Sequence, residues 1–446
     1  MRKQTPDRPQ NEGATTLALR TPRCAGARGA AWIAIGFLCL ASASARAEIS
    51  GLEDGVAFLS PRPLNKSNLL SPPSRAYSGL PVGGWMMYPS LLAGAVVDDN
   101  IRPTSQSRTS GTGLRFKPTL SAIQTNGIHN TQLYAEADAR VYPDQSKGNL
   151  VEGRLGGVYT YEMTRDLMFR FKGEAARREE VFNDAVGYAL TAGSPQRYNQ
   201  FSGSASVKKS MGQFFAAFGG TVSRKSYTDS ETPFGALPDQ TVTTLSGRTG
   251  VWATPAVYAF VEPSVNWRRF DSAAGFDSSG YRVVGGVGSD QVSLFRGEIF
   301  GGYQQQSFEA SPFGTISGAI AGGRLFWLPT RALTFAIQID QTLGESTTLT
   351  TVNPTGSATR TRSMLAKADY SIARLWSAQS RIGLDHVDYV DGPRRDKRWL
   401  AGATLNYDLF RNFGLALDYQ FTRVDSNLSF ASYEKNVVTL GGTYKY

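Results

Sequence analysis

From residue 83 to the end, the sequence is a succession of stretches in which apolar and polar residues alternate. In Leu333–Thr342 the residues at 333, 335, 337 and 339 are Leu, Phe, Ile and Ile, with Thr, Ala, Gln and Asp between and after them. Leu133–Tyr142, Leu167–Arg177 and Asn412–Phe421 alternate in the same way. A period of two places the apolar side chains on one face of a β-strand and the polar side chains on the other. The stretches therefore predict strands with one apolar and one polar face.

Eighteen such stretches can be counted, and short and long connections interleave between them. The short ones include Asn126–Gly127 and Arg411–Asn412, and the long ones include 181–197 and 344–359. This alternation is typical of outer-membrane barrels, which have tight periplasmic turns and longer extracellular loops. We predict an all-β fold, a transmembrane antiparallel up-and-down β-barrel of about 18 strands, with 16 as the alternative. The stretches begin near residues 85, 109, 129, 149, 167, 198, 212, 240, 255, 279, 291, 316, 332, 360, 376, 397, 412 and 434.

The charged residues of these strands indicate which face meets lipid. An Arg or Lys facing hydrocarbon at the membrane midplane costs about 2–4 kcal/mol, so the charged faces are expected to line the lumen. A soluble β-sandwich would show the same alternation with its apolar faces packed together; the connection lengths and the two chain ends described below favour the barrel. The expected pore-lining residues are Arg115, Lys117, Glu136, Asp138, Arg140, Glu152, Arg154, Arg170, Lys172, Glu174, Glu262, Arg268, Arg296, Glu298, Asp340, Lys367, Asp369, Arg381, Asp385, Arg398, Asp408 and Asp418.

Aromatic residues lie near the ends of many stretches. Tyr and Trp rings placed there are expected to form girdles at the two membrane–water interfaces, although packing at strand ends is an alternative explanation. These residues include Trp85, Tyr88, Tyr159, Tyr161, Trp252, Trp267, Phe326, Trp327, Trp376, Tyr389 and Trp399.

The N-terminal region has the pattern of an export signal. Basic residues from Arg20 to Arg28 precede the apolar run Ala30–Ala41, and Ala45–Ala47 fits the small-x-small cleavage rule. We expect residues 1–47 to be a cleaved signal peptide and 48–82, rich in Pro and Ser, to be an irregular leader in the periplasm or the lumen. Residues 83–446 would form the barrel in the outer membrane of a Gram-negative bacterium.

Composition changes this picture little. The net charge is +10, but seven basic and two acidic residues lie within 1–47, which leaves about +5 for the rest and no basic block typical of nucleic-acid binding. Both cysteines, Cys24 and Cys39, lie in the predicted signal peptide. We therefore expect no disulfide and no thiolate metal site in the exported chain.

The two ends of the predicted barrel carry a family resemblance. The C-terminus is similar to the signal that the outer-membrane assembly machinery reads, with Thr439, Gly441, Tyr444 and Tyr446 in the signal positions. The opening stretch Tyr88–Ile101, with its Asp-Asp-Asn step, resembles the first strand of outer-membrane β-barrel porins of Gram-negative bacteria. The resemblance covers roughly 83–446. It implies a porin-like pore, and some members of that family resemble proteins encoded beside exopolysaccharide-export systems.

No constellation in the sequence predicts catalysis, a cofactor or a metal. His129 and His386 are expected near opposite rims, which argues against a Ser-His enzyme. Asp98, Asp99 and Asn100 could hold a divalent cation, but a solvated turn is the preferred interpretation.

Three functions remain open on the sequence. The first is passive passage of small hydrophilic solutes through a water-lined pore, for which a barrel of this size leaves room. The second is an exporter of acidic exopolysaccharide with a periplasmic partner, and the third is a structural or adhesive barrel plugged by 48–82. The expected partners are outer-membrane lipid, lipopolysaccharide and the assembly machinery, with no nucleic acid.

Overall fold

The protein was analysed as a computed structural model, which describes residues 79–104, 108–180, 196–228, 231–232, 235–236, 239–271, 277–292, 294–309, 314–346, 357–390 and 393–446. The predicted signal peptide 1–47 and all but the last residues of the predicted leader 48–82 lie outside these ranges. Within them, no helix is long and apolar enough to cross a membrane. The only helical segments described are two short 3₁₀ turns, Ser146–Gly148 and Ser429–Ala431.

Eighteen long strands form the wall. They are β1 (Trp85–Asp98), β2 (Gly111–Asn126), β3 (His129–Val141), β4 (Leu150–Glu162), β5 (Leu167–Glu180), β6 (Gln196–Met211), β7 (Phe214–Tyr227), β8 (Gln240–Trp252), β9 (Val257–Phe270), β10 (Ser278–Val292), β11 (Phe295–Phe308), β12 (Thr315–Thr330), β13 (Leu333–Ser346), β14 (Ser357–Ala373), β15 (Trp376–Tyr389), β16 (Arg395–Asp408), β17 (Phe413–Ser426) and β18 (Tyr433–Lys445). The number confirms the 18 strands predicted over the alternative of 16.

The sheet closes on itself. Each strand pairs antiparallel with the next along the chain, and β1 pairs antiparallel with β18 from Ser90↔Lys445 to Asp98↔Val437. Three minor strands that the sequence analysis did not predict lie outside the ring. Leu80–Val82 pairs with the first residues of β1, and Glu231–Thr232 with Gly235–Ala236 forms a hairpin between β7 and β8. The chain therefore folds as a closed antiparallel barrel.

Short and long connections lie on opposite rims, as the sequence indicated. The eight turns on the rim that also holds the start of β1 and the end of β18 have two to four residues, and the nine connections on the other rim have five to fifteen. Gly127 and Gly212 lie in two of the tight turns with φ of 55° and 63°. Because residues with a Cβ rarely adopt this conformation, glycine is required there.

The strands turn their apolar residues outward and their charges inward. On β2, Leu114 and Phe116 are 51% and 44% exposed, whereas Arg115 between them is 5% exposed. On β17, Leu417 and Tyr419 are exposed while Asp418 is buried. This is the orientation a barrel in lipid requires, because hydrocarbon solvates the first set and not the second.

Part of the predicted aromatic girdle lies on the outer face at the short-turn rim. There Trp327 stacks between Phe295 and Phe335, with ring centroids 6.0 and 5.1 Å away. The girdle prediction is wrong for Trp252 and Tyr389. Trp252 packs on the lumenal side against buried Tyr258, and Tyr389 is 8% exposed with the Arg394 guanidinium over its ring.

One junction in the wall is paired over only half its length. β12 and β13 pair from Thr330↔Leu333 to Gly323↔Ile339, and the described residues show no pairing beyond that point toward the long-loop rim. β13 nevertheless continues to Ser346, paired with β14, and the first half of β12 remains paired with β11. The wall is therefore split between β12 and β13 on its long-loop half.

Side chains close this split from within. Continued pairing would place Leu343 beside exposed Ala319, but Leu343 is 1% exposed and packs on Ile316 and Phe308. Gln304 of β11 donates to the Leu343 carbonyl and accepts from the Leu343 N–H at 3.3 and 3.4 Å, replacing the backbone partners that β12 would supply. The end of β13 thus lies over the lumenal side of β12, an arrangement that we call the lapped joint.

The lapped joint predicts a difference in disulfide formation. The pair Ala319→Cys/Leu343→Cys should oxidise poorly, because the two side chains lie on opposite sides of the wall and a disulfide needs Cβ atoms about 4 Å apart. The measurement is intramolecular disulfide yield after mild oxidation of the folded barrel, read as a gel shift, in a background in which Cys24 and Cys39 are replaced.

The matched control lies lower on the same two strands. Leu325 and Ile337 are Cα partners and both are exposed, so Leu325→Cys/Ile337→Cys should oxidise readily. Equal yields for the two pairs would show that β12 and β13 are paired along their whole length.

Candidate functional site: the charged lumenal wall

A buried network centred on Arg115 braces the place where the barrel closes. Arg115 on β2 contacts Asp138 on β3 at 2.6 Å and Asp418 on β17 at 3.0 Å, and it donates to Thr439 on β18. Thr404 on β16 donates to the other oxygen of Asp418. We call these five residues the Arg115 network. It joins strands from both ends of the chain by charge-assisted hydrogen bonds.

Two glycines give Arg115 its path across the closing strands. Arg115 pairs with Gly94 on β1, Gly94 pairs with Gly441 on β18, and Gly441 pairs with Ala416 on β17. The row between Arg115 and β17 therefore carries almost no side-chain atoms, so the guanidinium can reach Asp418. Of the predicted assembly-signal residues, Thr439 and Gly441 face the lumen here, whereas Tyr444 is half exposed on the outer face.

A second set of ion pairs continues along β2 to β5. Glu136 contacts Lys117 and Arg154, each at 2.8 Å. The side chains of Lys117 and Arg154 are 27% and 32% exposed, compared with 6% for Arg115. Farther along, Glu174 accepts from Tyr134 and from Arg178. Solutes in the lumen would therefore meet Lys117 and Arg154 rather than the buried network.

A third network surrounds Arg248, a residue that the sequence analysis missed. Arg248 on β8 contacts Glu262 at 2.6 Å and Glu298 at 2.9 Å, with side-chain exposures of 1%, 5% and 5%. Its guanidinium lies 4.0 Å from the Phe260 ring centroid, and Tyr258 donates to Glu298. The period-two pattern could have identified it, because Leu245 on the same strand faces outward and Arg248 is three residues away, on the opposite face.

Beside the Arg248 network, one sector of the lumenal wall is aromatic and apolar. Its members are packed against one another rather than exposed to the lumen, and they lie on β7 to β12. They are Phe215, Trp252, Tyr258, Phe260, Val284, Phe300 and Ile320, and we call them the lumenal aromatic cluster. An alternating pattern that expects only polar residues inside does not predict such a cluster.

Inward-facing glycines make room for these rings. A Cβ on Gly250 would lie 2.4 Å from Phe215, and one on Gly288 would lie 2.2 Å from Tyr258. The rings of Phe215 and Tyr258 therefore extend over glycines of neighbouring strands, which brings them close to the sheet. This explains the glycine on the inner face of β8 and those on the inner face of β10.

The Asp-Asp-Asn step at the end of β1 is largely buried and is not a solvated turn. Asp98 and Asn100 are 1% and 0% exposed, so the preference for a solvated turn was wrong. Asp98 contacts Lys435 of β18 at 2.8 Å, and Asp99 accepts from Asn436. These contacts fasten the long-loop end of β1 to β18.

Burial at this rim shifts the pKa of Tyr142. Tyr142, which follows β3, donates to Asp98 at 3.2 Å. Burial, together with the Asp98 carboxylate, raises the pKa of Tyr142 above its ordinary value.

Among the described residues, no three His, Cys, Asp or Glu side chains are grouped so that they could hold a metal ion.

The remaining residues predicted to line the pore lie on the inner strand faces, alternating with outward residues. Asp385 and Arg398 are Cα partners, as are Lys367 and Arg381. The two histidines lie apart: His129 stacks on Tyr161 at the short-turn rim, and His386 contacts Asp388 near the long-loop rim. The others on inner faces are Arg140, Glu152, Arg170, Lys172, Arg268, Arg296, Asp340, Asp369 and Asp408.

Comparison with known proteins agrees with this architecture. The family described as "Putative beta-barrel porin 2" matches residues 72–446, which contain every strand and every network described above. The chain belongs to this porin family. No curated protein matches the sequence.

Two solved structures are similar to this chain at low sequence identity. The FrpB iron transporter from Neisseria meningitidis (F3-3 variant) is 10% identical with a TM-score of 0.44, covering 86% of this chain and 83% of that chain. The siderophore receptor PirA from Pseudomonas aeruginosa is 9% identical with a TM-score of 0.40, covering 81% and 80%. Similarity at this level does not assign a function to this chain.

Proposed function

We propose that this chain is an outer-membrane pore through which small hydrophilic solutes pass passively. The observation that supports the proposal is the inner wall of a closed 18-strand barrel, lined by charges of both signs, with apolar side chains on the outer face. Water can solvate such a wall, and a barrel of 16 to 18 strands is wide enough for an aqueous channel. No catalytic step or cofactor is part of the proposal.

The accessible ion pairs should set the charge preference of the pore, because a solute in the lumen meets them directly. Permeating ions respond to charges within about one Debye length, ~8 Å at physiological ionic strength. Lys117 and Arg154 flank a single carboxylate, Glu136, so this stretch of wall carries a local excess of positive charge. We therefore propose that Lys117 and Arg154 take part in selecting solutes.

Planar-bilayer recording tests both statements. The folded barrel without residues 1–47 should give stepwise openings, and Arg154→Gln should shift the reversal potential in a salt gradient toward cation preference. Arg224→Gln, on the outer face of β7, is the control and should leave the reversal potential unchanged.

Deleting 48–82 separates the pore from a plugged barrel. Conductance steps from the chain that still contains 48–82 support an open pore. If that chain gives no conductance and the chain without 48–82 does, a plugged surface barrel replaces the proposal. Silence of both proteins, each shown to be folded by its altered gel mobility before heating, would refute the pore. Strong selection for long acidic glycans over small solutes would instead favour an exporter.

A further inference from the structure

A basic patch lies on the outer face of the barrel at the long-loop end of β14 to β16. The strand register places its residues in rows. Arg362 pairs with His386, and His386 pairs with Lys397; one step nearer the loops, Asp388 pairs with Arg395. The side chains of Arg362 and Arg395 are 51% and 76% exposed. We call Arg362, Arg395 and Lys397 the outer basic patch.

The row immediately below the patch is apolar. Met364 on β14 pairs with Leu384 on β15, and Leu384 pairs with Trp399 on β16. Met364 and Trp399 are each 42% exposed. The patch therefore lies at the boundary where the hydrocarbon-facing band of the barrel ends, which is the depth of lipid headgroups.

The patch carries more positive charge than its neighbours neutralise. Asp388 is the carboxylate shared by Arg362 at 3.3 Å and Arg395 at 3.8 Å. Lys397 has no ion pair with any described residue, although Asp425 is its Cα partner on β17; the carboxylate of Asp425 is held by Arg423 through both oxygens. One available acid therefore faces three cations.

A fourth cation, Arg360, and a cleft lie at the edge of the patch nearer the loops. Arg360, one row nearer the loops, has a buried Nε without a hydrogen-bond partner in the described chain. Together with Asp388, Arg395 and Asn427 it lines a cleft of about 620 Å³. Space for a polar headgroup thus lies directly above the exposed cations.

The corresponding outer face of β7 to β9 shows that this excess is local. There Arg224 contacts Asp239 and Asp271, and Arg269 contacts Asp277 and Glu309. Each exposed arginine in that sector is matched by two carboxylates. Both sectors have exposed arginines near the long-loop ends of their strands, but their charge balance is opposite.

We propose that the outer basic patch binds the phosphate groups of a phosphorylated glycolipid of the outer leaflet, whose acyl chains lie against Met364, Leu384 and Trp399. The proposal rests on the proposed location, in which the long loops face outward. Arginine and lysine bind phosphate through charge-assisted hydrogen bonds, and the apolar row accepts the attached hydrocarbon. A phosphorylated glycolipid can contact both rows, because its phosphates bind the cations and its acyl chains pack against the apolar residues.

Binding of purified lipid A to the detergent-solubilised barrel tests the proposal. Native mass spectrometry should show bisphosphorylated lipid A retained by the unaltered protein, with weaker retention of the dephosphorylated form. Arg395→Gln/Lys397→Gln should weaken retention of the bisphosphorylated form about thirtyfold, because two surface cations near lipid together contribute about 2 kcal/mol. Asp388→Asn should strengthen it, since it removes the one carboxylate at the centre of the patch.

The matched control is Arg224→Gln/Arg269→Gln, which removes the same charge from exposed arginines near the long-loop ends of other strands and should leave retention unchanged. Equal retention of phosphorylated and dephosphorylated lipid would overturn the proposal, as would equal weakening in both double variants. Membrane fractionation tests the location separately, so failure of the patch and failure of the outer-membrane assignment are distinguishable.

Discussion

Replacing Arg248 with alanine is expected to lower the free energy of unfolding of the barrel by about 3–5 kcal/mol, because it leaves the buried carboxylate of Glu298 without its cation. It also removes one of the two cations beside Glu262, whose other contact is Arg282 at 3.6 Å. Glu262 and Glu298 are each 5% exposed at the side chain and approach Arg248 within 3 Å. The Phe260 ring that lies beneath the guanidinium would also lose its contact. The measurement is urea-induced unfolding in detergent, followed by the loss of the compact gel band.

A second variant separates the effect of an unpaired buried charge from the effect of lost packing around Arg248. Glu298→Gln combined with Arg248→Met removes both charges of that pair at similar volumes and leaves Glu262 beside Arg282, so it should recover much of the stability that Arg248→Ala loses. Arg224→Ala removes an exposed, doubly paired arginine and should cost far less stability, because solvent screens surface ion pairs. A loss of stability that is equal for Arg248→Ala and Arg224→Ala would show that the network does not stabilise the barrel.

Gly94→Ala is expected to impair closure of the barrel at the β1–β18 junction. A Cβ at Gly94 would lie 2.3 Å from the carbonyl oxygen of Leu440 and 2.5 Å from the Cα of Gly441. These are backbone atoms, so relief requires the strands to move apart, and overpacking of this kind costs about 1–3 kcal/mol. The same Cβ would stand in the row that Arg115 crosses to reach Asp418.

The measurements are the fraction of protein that reaches the compact, heat-modifiable form and its unfolding midpoint. Gly173→Ala on β5 is the matched control, since a Cβ there has open space within 4 Å, and it should change stability by no more than about 0.5 kcal/mol. If Gly94→Ala folds and unfolds like Gly173→Ala, the glycine pair is not needed for closure.

The networks have different exposures, and this separates stability from transport in the barrel. Arg115 and Arg248 are buried and should govern closure and stability. Lys117 and Arg154 are partly exposed in the lumen and should govern the charge preference of the pore. Variants of the two kinds are therefore expected to fail in different assays.

Much of the architecture follows from local sequence. The two-residue period fixed which face of each strand is charged, and the interleaved connection lengths fixed the up-and-down order, because both depend only on neighbouring residues. The same period could have placed Arg248, Gly250 and Trp252 on one inner face. Trp252 was instead expected in the girdle because of its place at a strand end, although its parity already indicated the lumen.

What only the tertiary structure decided is which inward residues meet. Arg115 and Asp418 are 303 positions apart, and their contact exists because the first and last strands pair with one glycine opposite another. The lapped joint, the burial of Asp98 and the charge excess at Lys397 likewise depend on how separate strands are placed side by side. A strand's own sequence fixes the direction of each side chain, but its partners across the wall are set by closure and register, which are properties of the whole ring.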